Sequence, residues 1–184
     1  AAASGVSDSS TSYANVFEMT ASYIDELVKN YVINSYNADK LLVTGGTGFI
    51  GVRLVAALAG AGHEVTVLTR DRAKALSLAE AGPVRVVTSL DEIANDARID
   101  AIVNLAGEPI SDSPWTKAKR IRIIKSRLAV TYGVLRLIRR LDRKPDVLVS
   151  GSAIGWYGLR GDQPLTEENL GAPCFSRRVC VAWE

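Results

Sequence analysis

Histidine is almost missing from this chain: His63 is alone among 184 residues. No zinc site can be assembled on one imidazole and two scattered thiols. His63 lies in a turn and reads as a surface residue rather than a catalyst. Cysteine is nearly as scarce, and Cys174 and Cys180 form no Cys-x-x-Cys motif. They read as free thiols in a reducing compartment. No run of about 18 uncharged apolar residues occurs, so no membrane-spanning segment is expected. Strong charge of one sign is absent too. Lys and Arg total 22 against 20 Asp and Glu, a net charge of +2. Bulk electrostatics therefore gives no argument for a nucleic-acid partner. There is no initiator methionine, and the sequence stops inside what reads as the start of a helix. A processed or fragmentary chain is the expectation.

What is present is a globular composition, 47% apolar and 23% charged, at a length that supports a proper core. The chain is organised around residues 41–51, Leu-Leu-Val-Thr-Gly-Gly-Thr-Gly-Phe-Ile-Gly. Leu41, Leu42 and Val43 suit a fully buried strand. Gly45 then allows a sharp turn, and Gly48 leaves bare backbone for a pyrophosphate. Gly51 lets the following helix pack close against the sheet. The first helical turn offers N–H groups and a positive dipole end to an anion.

In chain order, residues 1–12 are Ala/Ser-rich and read as a flexible arm or the remains of a targeting segment. A helical pattern over 13–34 places Val16, Tyr23, Leu27 and Tyr31 near one face, as a docking helix. Residues 1–38 thus form an arm plus an amphipathic helix, and 39–184 a dinucleotide-binding domain. Strands are predicted at 40–44, 65–69, 84–87, 101–105 and 147–149. Helices are predicted at 48–60, 71–81 with Asp71 as N-cap, 90–96, 115–141, and from about 172 onward. Strands alternating with helices predict an α/β, Rossmann-like, doubly wound parallel sheet in the order 3-2-1-4-5. Its crevice lies where the order reverses.

The strand ends are therefore the places to inspect: Gly45, Thr47, Gly48, Phe49 and Ile50; Thr69 and Arg70; Ala106 and Gly107; Ser150 and Ser152. An acid at the end of the second strand would bind a ribose 2′-hydroxyl and select NAD. Thr69 and Arg70 stand there instead, and Asp71 comes two positions late. A guanidinium grips a 2′-phosphate through charge-assisted bonds worth about 1.5–3 kcal/mol. The reading is NADP(H) in preference to NAD(H). The helix over 115–141 carries nine basic residues from Lys117 to Arg140 and no acid. It reads as a solvated outer face over a buried stripe of Ile121, Ile124, Leu128, Leu135 and Ile138. Ser126 is a candidate for the active-site side of this helix.

These pieces together resemble the short-chain dehydrogenase/reductase superfamily. The match is closest to its atypical extended members, the SulA-like nucleoside-diphosphate-sugar epimerases. It rests on TGGTGFIG at 44–51, GHEVTVLTR at 62–70, NLAGEPI at 104–110 and Trp115-Thr116. It continues through Lys125-Ser126-Arg127, SGSAIGWYG at 150–158, LTEE at 165–168 and the Cys180…Trp183-Glu184 ending, about four-fifths of the chain. The resemblance implies a cofactor site at Gly45, Thr47, Gly48, Phe49, Ile50, Gly51, Arg70, Leu105, Ala106, Gly107 and Ser150, with no metal. It places Ser152 where the superfamily keeps its catalytic Ser or Thr. The Tyr-x-x-x-Lys pair expected some 25 residues later is missing. Phe175 with Val179, or Ser176 with Cys180, holds that spacing, and neither pair does ordinary acid–base work. Tyr157 is the nearest phenol.

Family members continue into further strands and a C-terminal substrate domain, so the domain here is truncated and its fifth strand is left as an apolar edge. A protein partner at that edge or at the N-terminal helix is expected. Two activities follow from the resemblance. One is an oxidoreductase or epimerase moving hydride to and from a sugar-like carbonyl. The other is a non-catalytic nucleotide-binding subunit of a larger plastid assembly, membrane-associated or not. Plant and algal relatives imply a plastid location, with the cytoplasm as alternative.

Overall fold

The computed structural model describes residues 26, 28–34, 38–161, 164–166 and 168–184. Five strands form one parallel sheet: β1 (Lys40–Thr44), β2 (Glu64–Leu68), β3 (Val84–Val87), β4 (Ala101–Asn104) and β5 (Val147–Ser150). Their order is β3-β2-β1-β4-β5, as the alternation of elements predicted. Val43 pairs with Val67 on one side and Val103 on the other, so β1 is central.

Parallel strands must be covered on both faces, and alternate residues do this. Leu41, Val43, Val65, Val67 and Val103 pack under helix α1 (Phe49–Gly60) through Leu54, Val55 and Leu58. Leu42 and Ile102 point the other way, onto Ile93, Ile99 and helix α2 (Lys117–Arg140) through Val134 and Leu137. Helix α3 (Phe175–Trp183) packs on α2 and buries Val179, Cys180 and Trp183.

Several local expectations are corrected. The predicted helix over 71–81 is a 3₁₀ segment, Ala73–Ala81, whose N-cap is Arg72 and not the expected Asp71; Asp71 Oδ1 accepts the Ala73 N–H at 3.0 Å in the turn before it. The helix expected over 90–96 is one 3₁₀ turn, Leu90–Glu92, under a Ser89/Glu92 capping box. Glu92 accepts the N–H of Thr88, the Thr88 hydroxyl and the N–H of Ser89. Those bonds, the backbone one from Thr88 first, hold its carboxyl down at about 2. β4 ends at Asn104, so Leu105 lies just past it.

The buried stripe of α2 is out of phase with the prediction. Ile123, Val134 and Leu137 are buried, whereas Ile121 is 45% exposed. Most of the helix expected over 13–34, including Val16, Tyr23 and Leu27, lies outside the described residues. Its described part is a π-helical turn, Val28–Ile33, and Val28, off the expected face, is wholly buried in the α1 layer. Among the described residues no helix is long and apolar enough to cross a membrane.

Candidate functional site

The β1–α1 turn is tight because its glycines leave no room for anything else. Gly45 has φ +71°, and a Cβ there would lie 2.9 Å from the Ala106 backbone. A Cβ at Gly51 would lie 2.2 Å from the Gly45 carbonyl oxygen. Gly51 therefore serves the closure of the turn itself, more than packing against the sheet. Gly48 differs: its N–H closes on the Gly45 oxygen at 2.9 Å, and it is exposed. Gly48 is the N-cap of α1 and gives no side-chain cap; no acid stands in the first helical turn. Exposed backbone at Gly48 and a helix start without a side-chain cap fit a diphosphate. Phe49 is 55% exposed beside this turn, under the Arg53 guanidinium at 4.9 Å; Ile50 is half-buried.

The end of β2 comes to the same place. Thr47 and Thr69 hydroxyls lie 3.3 Å apart. Arg70, the next residue, is exposed, and no carboxylate pairs with it among the described residues. Asp71, which could be mistaken for an NAD-selecting acid, has Oδ1 engaged by the Ala73 N–H.

Across the crevice the ends of β1, β4 and β5 are stitched by a buried amide. Thr44 Oγ1 donates to Asn104 Oδ1 at 2.7 Å, and Asn104 Nδ2 donates to Thr131 Oγ1 at 3.0 Å and Ser150 Oγ at 3.3 Å. Thr44 Oγ1 also accepts the Ala106 N–H at 3.2 Å. Sequence reasoning passed over Asn104 as part of a motif; an amide inside an apolar strand was the available signal.

The loop after β4 is clamped onto α2. Ser126 Oγ accepts the Glu108 N–H at 2.9 Å, and Arg127 Nη1 donates to the Glu108 carbonyl at 3.1 Å. A Cβ at Gly107 would meet Arg127 Cζ at 2.7 Å. Lys119 is not on a solvated face: it is 1% exposed and bonds Asp112 at 2.6 Å and Glu108 at 3.0 Å. Asp112 first, then Glu108, raises the Lys119 ammonium above its ordinary value against the opposing pull of burial. Lys119 in turn holds both carboxyls below theirs. Ser126 thus faces the Gly107-Glu108 strap that walls the crevice.

Just past β5, Ser152 Oγ donates to Glu184 Oε1. Both are exposed and line an open hollow of 440 Å³ with Ala153, Ile154, Trp156 and Tyr157. The Ser176 and Cys180 positions are committed elsewhere. A Cβ at Gly155 would be 2.7 Å from Ser176 Cβ, and the Cys180 thiol, 2% exposed, donates to the Ala153 carbonyl at 3.6 Å. Cys174, the N-cap of α3, accepts the Arg177 N–H at 3.3 Å, and both thiols are free. A second hollow, of 510 Å³, opens at the amino ends of β1, β2 and β3. The charges on its rim already have partners, Lys40 with Glu64 at 2.9 Å and Arg98 with Asp100 at 2.8 Å. Chemistry belongs at the carboxyl ends of the strands.

Sheet order, glycine turn and strand-end polar groups define a Rossmann-like α/β protein of the extended dehydrogenase/reductase kind. The profile of the NAD dependent epimerase/dehydratase family matches residues 41–180, and the chain belongs to that family. It is 38% identical over 147 residues to the chloroplastic epimerase family protein SDR39U1 homolog of Arabidopsis thaliana, covering 77% of this chain and 42% of the relative. With epimerase family protein YfhF of Bacillus subtilis it shares 35% identity over 149 residues, 78% of this chain and 48% of the relative. A crystal structure of human epimerase family protein SDR39U1 (isoform 2) with NADPH superposes with a TM-score of 0.62 at 27% identity. That alignment covers 78% of this chain and 47% of the human one. The chain spans less than half the length of these relatives.

Proposed function

We propose that this chain binds NADP(H) in the crevice between β1 and β4, as part of an enzyme that oxidises and reduces a sugar-like hydroxyl or carbonyl. The observation that carries the reading is the glycine turn with its uncapped helix start, flanked by Arg70 at the end of β2. Gly45, Thr47, Gly48, Phe49, Ile50 and Gly51 hold the diphosphate. Arg70 takes the 2′-phosphate, while Leu105, Ala106, Gly107 and Ser150 wall the nicotinamide side. Ser152 orients the substrate oxygen. NADP(H), when bound, supplies or accepts the hydride. The NADPH-bound human relative supports the choice of cofactor, and the family match supports an epimerase- or dehydratase-type reaction.

Arg70→Ala should weaken NADPH binding roughly ten- to a hundredfold while leaving NADH nearly untouched. Calorimetric titration of both cofactors measures it, and unchanged NADPH affinity would remove the argument for NADP(H).

A second reading, a non-catalytic nucleotide-binding subunit of a larger plastid assembly, is favoured by one observation. The helix that should carry a Tyr/Lys pair holds Phe175 with Val179, or Ser176 with Cys180, at that spacing; Phe175 packs edge-on to Trp115, Val179 is buried and the Cys180 thiol bonds the Ala153 carbonyl. In that reading the β5 edge, where Leu148 is 39% exposed, or the N-terminal segment meets the partner. Intact mass of the native protein and a screen of NADPH oxidation by carbonyls and nucleotide sugars separate the two. A plastid location goes with either reading, supported by the chloroplastic relative; bacterial relatives favour the cytoplasm. Fractionation of the source cells decides between them.

A further inference from the structure

We infer that Ser152 and Glu184 together handle the proton at this site: Ser152 takes it from a substrate hydroxyl as Glu184 takes the proton of Ser152. The inference rests on the NADP(H) reading above and supplies the proton carrier that the missing Tyr/Lys pair leaves unassigned.

Four observations converge. The direction of the hydrogen bond is that of a base: the serine donates and the carboxylate accepts, leaving the lone pairs of Oγ open to a substrate proton. No Lys or Arg pairs with Glu184 among the described residues, so its carboxylate is not spent on an ion pair. Both side chains line the same 440 Å³ hollow, large enough for a small polyol or sugar moiety. Glu184 is also held in place. Its N–H bonds the Cys180 carbonyl at 3.0 Å. The preceding Trp183, 7% exposed, packs so that a Cβ on Gly151 would touch it at 3.0 Å.

Packing also ties the pair to the cofactor turn. The Gly45 turn abuts Ala106, Gly107 abuts the Arg127 guanidinium, and Arg127 lies 5.0 Å over the Trp183 ring. Ser150 and Gly151 join the same edge through Asn104, whose carbonyl accepts the Gly151 N–H at 2.9 Å. Ser152 therefore stands within a few packed residues of the crevice.

A secondary alcohol would pass its hydroxyl proton to Ser152 Oγ as the C–O bond becomes a carbonyl, and NADP⁺, when bound, would accept the carbinol hydride. The former Ser152 proton forms an O–H bond on Glu184, which releases it to solvent through the open hollow. Reduction of a carbonyl by NADPH runs the same transfers in reverse, with one proton taken from solvent.

The test uses the full-length protein, NADPH binding by fluorescence, and NADPH oxidation by a fixed panel of aldoses, ketoses and quinones. Glu184→Gln should lower kcat about a hundredfold or more while the Kd for NADPH stays within about twofold, because the carboxylate does not touch the cofactor turn. Glu184→Asp should recover part of the loss. Ser152→Ala should cost as much as Glu184→Gln, and the double variant no more than the worse single one, since the two act as a unit. A crystal structure of the NADPH complex should keep Ser152 Oγ and the carboxylate in hydrogen-bond contact, a readout independent of turnover and of the folding of any variant. Glu184→Gln with kcat within about twofold of wild type, or losses that multiply, would overturn the pair. Separated side chains in the complex would do the same. NADPH binding without turnover of any probe overturns the pair and leaves the cofactor reading standing, whereas absence of NADPH binding sinks both.

Discussion

At the β1–α1 turn the surface offered to a ligand is main chain; at the β5–α3 end it is side chain. The turn depends on Gly45 and Gly51, where a Cβ would collide with backbone at 2.2 to 2.9 Å. The other end is made by a hydroxyl and a carboxylate brought together across 32 residues of sequence. Backbone recognition tolerates little substitution, since any added atom clashes. A side-chain site can change its chemistry while its scaffold stays. That difference explains how the glycines can all be present while no Tyr/Lys pair stands on α3.

Gly51→Ala is the most severe way to break the contrast. The new methyl would lie on the Gly45 carbonyl and the Gly46 Cα, both backbone, and should cost about 3 kcal/mol or more. Chemical denaturation should show it, with NADPH binding lost in parallel. A neutral result would mean the turn is loose.

Asn104→Ala tests the seam between the two regions, since its amide reaches Thr44 on one side and Ser150 on the other. Leaving buried partners unsatisfied should cost about 1–3 kcal/mol, again read by denaturation. Loss of stability with unchanged NADPH affinity would confine Asn104 to the scaffold.

The smallest effect is expected from Lys119→Met, which touches only the clamped loop. Lys119 holds Glu108 and Asp112 below their ordinary values of 4.5 and 3.8. The stabilisation is thus fully present above those values and fades as pH falls below them. On the Lys119 side, where the ordinary value of 10.5 is raised, it is lost only as pH climbs beyond that. The variant should melt below wild type at neutral pH, and the gap should close on acidification toward pH 3. A gap independent of pH would assign the effect to packing alone.

Much of the fold was legible because it depends on periodicity. Alternating apolar runs and turns set strand count, parallel pairing and order, and the result followed. Phase along α2 was not legible. Ile121 and Ile123 are equally apolar, yet Ile123 is buried and Ile121 exposed, a choice made by tertiary packing and not by composition. The fate of Lys119 was hidden for the same reason: its two carboxylate partners come from a loop without periodicity. The turn after β3 stops at Glu92, short of the expected 96, because Ile93 is extended and buried in the Leu42 layer, a tertiary contact that local pattern does not encode.

What the sequence determined by itself is the β1–α1 turn, because glycine spacing is a local steric statement that needs no partner to be read. What only the tertiary structure decided is the company of Ser152. The meeting of its hydroxyl with Glu184 depends on Trp183 packing at Gly151 and beneath Arg127, and contacts between distant side chains are set by packing, which no spacing in the chain encodes.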